Sequence, residues 1–194
     1  MTGRFLCIDF ETNGFSERSA KREDWTLPCQ NYPTQVSVDI VEYGEITHAY
    51  DTLITGATSL SAWAKANTPI SLATLHEHGR PLMTVLDDLA GLLQEGDTLV
   101  AHNISFDLDQ ALARTARKLG FLQYPSLQKI LHTPRFCTRQ CAYSRNLFGQ
   151  RCNLEVLCKH FNISYSRNTA HDATYDTNVL AQCVAEAWRR GVML

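Results

Sequence analysis

The chain has 194 residues, 44% of them apolar and 20% charged, with 18 Lys and Arg against 20 Asp and Glu and a formal net charge of −2. That length suits one domain, here expected over residues 1–194, and burial of about 70% of the surface its unfolded form exposes. The balanced charge excludes a globally polyanion-seeking protein, and no apolar run approaches the roughly 20 residues of a membrane-spanning helix.

Met1-Thr2-Gly3-Arg4 leads into an apolar run that ends at Asp9, too short for a secretion signal, so an intracellular location is expected, cytoplasmic or with the nucleoid or nucleus. The spacing predicts a strand over residues 5–10, closed by the turn-prone Asn13-Gly14. Residues 16–33 read as a polar loop whose Arg18, Lys21, Arg22 and Trp25 suit either a grip on a nucleic-acid strand or a solvated surface. Residues 36–43 and 46–53, turned at Gly44, make the second and third strands of an antiparallel meander. Pro69 opens a helix over about 71–78, and Pro81 opens another with Leu82, Val85, Leu86, Leu89, Leu92 and Leu93 at helical spacing, ended by Gly96. Residues 98–101 read as a buried parallel strand and 105–119 as a helix ended by Gly120.

A Pro-containing, irregular stretch follows. In it Arg135, Arg139, Arg145 and Arg151 interleave with Phe136, Tyr143 and Phe148 and no acid, which suits a nucleic-acid strand or a solvated helix face equally. Helices over 154–161 and about 173–190 close the chain. Strands first, then helices around a buried strand, predict an α/β fold with a mixed sheet flanked by helices. The seven cysteines (7, 29, 137, 141, 152, 158, 183) are odd in number and lack Cys-x-x-Cys spacing, so reduced thiols are expected. A zinc site from Cys137, Cys141, Cys152 and Cys158 with His132 and His160 is the alternative, though its spacings match no usual ligand pattern.

Three motifs concentrate acids. In Asp9-Phe10-Glu11 the carboxylates share one strand face, with Cα atoms roughly 6.5 Å apart. His102 and Asn103 follow the buried strand, where the C-terminal ends of sheet strands open into crevices. Asn103 or Ser105 can cap the next helix, and Asp107 in its first turn suits the positive end of the dipole. His171 and Asp176 differ by roughly 140° on a regular helix. They reach one site only if Asp172 caps a helix that begins at Ala173 and leaves His171 in the loop. Asp176 shares a face with Val179, Leu180, Cys183 and Ala187, the stripe destined for the core, where an uncompensated charge is costly. Gathered in one pocket, four carboxylates would partly protonate unless cations balance them. Oxygen ligands favour two Mg²⁺ or Mn²⁺ ions over zinc and point to phosphodiester hydrolysis, with His171 as general base.

Together Asp9/Glu11, Asn103 to Asp107, and His171/Asp176 resemble the three motifs of the DEDDh branch of the DnaQ-like 3'→5' exonuclease superfamily, across nearly the whole chain. The resemblance implies a ribonuclease-H-like α/β fold with a central five-stranded mixed sheet, antiparallel meander plus parallel strands. It also implies two Mg²⁺ held by Asp9, Glu11, Asp107 and Asp176, with Mn²⁺ also supporting activity, and release of 5'-mononucleotides from a 3' end. Contacts to the terminal nucleotides would come from Thr12, Asn13, Leu75 and His78, with Asn103 and Phe106 beside them. The expected partner is nucleic acid with a free 3' end, DNA favoured and single-stranded or frayed. An exoribonuclease, a catalytically silent nucleic-acid-binding module and a structure-specific endonuclease are the alternatives, and the resemblance fits a homodimer as well as a monomer.

Overall fold

The computed structural model describes residues 3–14, 31–149 and 152–192. Arg18, Lys21, Arg22 and Trp25 of the expected loop, with Cys29 and Arg151, lie outside the described residues.

The central strand is β1 (Arg4–Thr12). Its even residues Leu6, Ile8 and Phe10 enter one core, while Phe5 and Cys7 join a second on the opposite face, the alternation of a strand buried on both sides. Asp9 and Glu11 continue the odd series. β2 (Pro33–Glu42) runs antiparallel to β1 and sets Ser37 opposite Asp9 and Gln35 opposite Glu11. β3 (Glu45–Thr55) returns through Tyr43 and Gly44, both at positive φ (51° and 82°), as a two-residue hairpin turn requires.

β4 (Arg80–Pro81) lies parallel to β3 at one edge. β5 (Thr98–Ala101) lies parallel to β1, and β6 (Arg135–Cys137) parallel to β5. The order is β4-β3-β2-β1-β5-β6. Among the described residues the sheet therefore has six strands where five were expected. β4 has two residues and β6 three, too few for a period to register in sequence.

Three short helices, α1 (Ala62–Asn67), α5 (Pro125–His132) and α6 (Ala142–Phe148), occupy stretches in which no helix was expected, because one or two turns hold too few apolar positions to show a period. The expected helices appear as α2 (Leu72–His78), α3 (Leu82–Leu92), α7 (Leu154–His160) and α8 (Ala173–Arg189). The helix expected over 105–119 is instead a π-helix, Ser105–Ala113, running into α4 (Arg114–Leu119) and ended by Gly120 at φ 81°. α3, the π-helix and α5 cover the face of Leu6, Ile8 and Phe10. α8 covers the other, with Leu180, Ala181 and Val184 against Cys7, Val41 and Val100, and holds α7 through Val179, Cys183 and Ala187.

The aromatic residues of the arginine-rich stretch point inward. Phe136 packs with the α8 core, and Tyr143 and Phe148 with the α7 core, while Arg135 pairs with Asp109 at 2.8 Å. All three are partly buried against those cores. The six described cysteines are free thiols, and among the described residues the alternative zinc cluster does not assemble. Nor, among those residues, is any helix long and apolar enough to cross a membrane.

Candidate active site

Asp9 and Glu11 point from the end of β1 toward the N-terminus of α8. The β1–β2 register shifts between Glu11 and Thr12, a bulge that bends the strand and re-aims its last side chains. From the other side of β1, β5 delivers the second motif. Asn103 turns the chain at φ 116°, a conformation Asn tolerates better than most residues, and the π-helix starts two residues later. Wider π turns recur at functional sites because they displace side chains from α-helical positions. Here Asp107 Oδ1 accepts the Phe10 N–H at 3.0 Å. The peptide between the two β1 acids thus fixes the third.

The fourth acid depends on where α8 begins. Asp172 is its N-cap and accepts the Thr174 N–H at 3.0 Å, so the helix starts at Ala173. His171 therefore stays in the preceding loop, at φ 65°, and its N–H donates to Asp176 Oδ2 at 2.9 Å. Ligand-capable atoms of Glu11, His171 and Asp176 lie within 4.8 Å of one another. Trp63 of α1 stands edge-on to the His171 ring, with centroids 4.9 Å apart.

The electrostatics follow from crowding buried carboxylates. Burial, then repulsion from Asp107, Glu11 and Asp176, holds the Asp9 carboxyl well above its ordinary range. Burial and then Asp176 and Asp107 push Glu11 up to about 8. Burial lifts Asp107 to about 7 despite the Phe10 N–H, and lifts Asp176 against the opposing His171 N–H. Glu11 and Asp107 therefore retain protons near neutrality unless a cation compensates them, and burial disfavours the ionised forms of Asp9 and Asp176 in the same direction. Asp176 Oδ1 is buried without a hydrogen-bond partner, the state of an oxygen awaiting a ligand rather than a structural bond. Asp176 and the carboxylates of Asp9, Glu11 and Asp107 in the same cleft fit a pair of hard divalent cations.

His102 behaves oppositely. Burial draws its pKa down to about 4; its Nε2 faces the Cys152 carbonyl at 3.2 Å and its Nδ1 the Thr138 hydroxyl at 2.9 Å. It is a neutral strut in the wall of the cleft. Thr12, Asn103 and Phe106 line the cleft, of about 520 Å³, beside the four acids and His171. Asn13 does not: its amide is taken up by Ser59 and Tyr32, and its carbonyl accepts the Ser61 N–H at 2.9 Å. It anchors α1. Leu75 is 1% exposed in a core with Leu60, Ala64 and Ile70, and His78 sits beside Glu77 at the end of α2; neither lines the cleft. α1 takes the place expected of α2, through Trp63 and Asn67. Asn153, Tyr165 and Arg167 complete the wall. The aromatic and basic pair Tyr165 and Arg167, just ahead of the third motif, was the one signal available for them.

The RNase T exonuclease family model matches residues 6–184 of the chain. Curated relatives include the DNA polymerase III subunit epsilon of Escherichia coli (strain K12), 37% identical over 93 residues, 45% of this chain and 34% of the relative. Another is the 3'-5' exonuclease DinG of Bacillus subtilis (strain 168), 33% identical over 105 residues, 54% of this chain and 10% of the relative. The chain thus spans about a third of the epsilon subunit and a tenth of DinG. Among solved structures, the nuclease domain of 3'hExo, a DEDDh family member bound to rAMP, superposes with a TM-score of 0.72 at 18% identity, covering 100% of this chain and 95% of that one. Exonuclease X in complex with 5' overhanging duplex DNA gives 0.64 at 18% identity, with 97% and 94% covered. E. coli Exonuclease I with a dT13 oligonucleotide gives 0.69 at 16% identity, with 95% and 41% covered. With its three acidic motifs converged at one cleft and a family match over residues 6–184, the chain belongs to the exonuclease family, within the DnaQ-like 3'-5' exonuclease superfamily.

Proposed function

We propose that this chain is a divalent-metal-dependent 3'→5' exonuclease, hydrolysing phosphodiester bonds from the 3' end of nucleic acid and releasing 5'-mononucleotides. The observation that carries the reading is the start of α8 at Ala173, which lets His171 and Asp176 meet Glu11 at one point. Asp9, Glu11, Asp107 and Asp176 would hold two Mg²⁺, or Mn²⁺ in their place. When bound, such a pair supplies Lewis acidity, lowering the pKa of water and stabilising charge on the phosphate and the leaving oxygen.

The chain's own residues do the rest. His171 lines the cleft with its backbone tied to Asp176, and its ring takes the proton of the attacking water. Trp63 braces that ring. Phe106, Asn103 and Thr12 lie around the acids where a terminal nucleotide would sit, with Asn67, Tyr165 and Arg167 farther along the walls. DNA is the favoured substrate, supported by the epsilon relatives and by neighbours solved with DNA. The 3'hExo domain bound to rAMP supports RNA as the second reading.

Oligonucleotides of DNA and RNA, labelled at either end and single- or double-stranded, test this under one Mg²⁺ condition. Successive shortening from the 3' end, abolished by EDTA and by Asp9→Ala, is expected, fastest on single-stranded DNA. Strand binding without nucleotide release in Mg²⁺ or Mn²⁺ would make the protein a silent binding module instead.

A further inference from the structure

A row of polar side chains on β2 runs beneath the first two turns of α8. Gln35, Ser37 and Asp39 share the β2 face that meets α8 and are 7%, 0% and 1% exposed. The Ser37 carbonyl accepts the Thr177 hydroxyl at 3.3 Å, and Asp39 Oδ2 accepts from the Asn178 amide at 3.3 Å. Gln35 makes the contacts nearest the site. Its Nε2 donates to Asp172 Oδ1 at 3.1 Å and reaches Thr174 Oγ1 at 3.4 Å, and its Oε1 accepts the Ala173 N–H at 3.3 Å. On β2 it stands directly across from Glu11.

One carboxamide therefore links the cross-strand neighbour of Glu11 to the cap that separates His171 from the helix. The link needs a donor toward the Asp172 carboxylate and an acceptor toward a helix N–H at once, and a carboxamide provides both. Gln35 does not line the cleft, so it touches no substrate. We propose that Gln35 is a positioning residue, tying the capped first turn of α8 to the β2 position across from Glu11 and so holding His171 and Asp176 at working distance from Glu11. This rests on the exonuclease reading above. Removing the Gln35 tie leaves the Asp172 cap on the Thr174 N–H in place. The helix then still forms and keeps its ties from Thr174 to Asp51, Thr177 to Ser37 and Asn178 to Asp39, and what is lost is the tie of its cap and first residue to the strand beside Glu11.

Gln35→Met, Gln35→Glu and the double variant Gln35→Glu/Asp172→Asn test this, the last exchanging donor and acceptor between the two positions. Three quantities are read: kcat and KM on a single-stranded oligonucleotide with Mg²⁺, the Kd of Mn²⁺ by calorimetry without nucleic acid, and Tm in EDTA. Gln35→Met is expected to lower kcat by about 10–100-fold and weaken Mn²⁺ binding by about tenfold, with KM within about twofold. Its Tm should stay within a few degrees of wild type. Gln35→Glu should lose more, by setting two carboxylates against each other, and the double variant should recover at least about tenfold of that loss. A Gln35→Met protein with wild-type kcat and Mn²⁺ affinity overturns the proposal. So does a loss that follows Tm with Mn²⁺ affinity unchanged, or a double variant no better than Gln35→Glu. An inactive wild-type protein would instead refute the exonuclease reading, and the Mn²⁺ titrations would then decide the role of Gln35 by themselves.

Discussion

Asp176 is held by a bond that does not need its charge. Its Oδ2 accepts the His171 N–H, which an asparagine oxygen would also accept, and its Oδ1 has no partner. Burial raises its pKa, so in the metal-free protein the carboxylate is a liability. Asp176→Asn is expected to melt in EDTA at or above the wild-type temperature while losing at least about 100-fold in kcat and most of the stabilisation that Mg²⁺ confers. Melting in EDTA well below wild type would show that the carboxylate is structural. His171→Ala removes the proton acceptor from an exposed position, so kcat should fall by about 10²–10⁴-fold with Tm nearly unchanged. A kcat within about threefold of wild type would exclude His171 as the base. At this scale the sequence was informative about Asp176, because its helical stripe demands burial. For Asp107 it offered a first-turn acid and a family motif but not the tie to the Phe10 N–H, 97 residues away, because no local period carries that pairing. Leu75 shows the opposite failure: apolar and well placed along the chain, it is drawn into the core and leaves the cleft to Trp63.

Elements, rather than single residues, set the depth of the cleft. The N-cap at Asp172 could be anticipated from sequence because the helical angle forbids His171 and Asp176 from sharing a regular helix face. The alternation in β2 was visible too, but it did not say what would cover the polar face. In the structure Gln35, Ser37 and Asp39 lie under α8, and the Gln35 and Asp39 side chains are buried there with hydrogen bonds to Asp172, Ala173 and Asn178. α1 is placed by a backbone device that composition hinted at only as a turn. Gly14 has φ 133°, and a Cβ there would lie 2.2 Å from Ser61 Oγ, the oxygen that caps α1 by accepting the Ala64 N–H. Gly14→Ala should therefore destabilise the fold by about 1–3 kcal/mol through strain and loss of that cap. Because Trp63 rides on α1, KM should rise more than kcat falls. A variant with unchanged Tm and KM would show that α1 is placed by its own packing.

For the molecule as a whole, the four acids couple stability to pH in the direction opposite to most surface carboxylates. The Glu11 carboxyl lies at about 8 in the folded protein against an ordinary 4.5, and Asp107 lies at about 7 against 3.8. Between those limits the folded state binds more protons than the unfolded one, so stability falls as pH rises. The cluster's contribution is complete below about pH 4 and is lost as pH climbs through about 7 to 8. Divalent ions require the ionised groups, so their binding releases protons and tightens over the same window. At a free Mg²⁺ concentration of about 100 times Kd the gain is about 2.7 kcal/mol. Melting curves from about pH 5 to 8.5, in EDTA and in fixed Mg²⁺, should therefore diverge: the EDTA series declines while the Mg²⁺ increment grows. Calorimetry in buffers of different ionisation enthalpy should show protons leaving as the metal binds, more of them near pH 6.5 than near pH 8.5. Parallel melting series, or binding without proton release, would mean that the carboxylates are already ionised and that the cleft was not built around a cation pair.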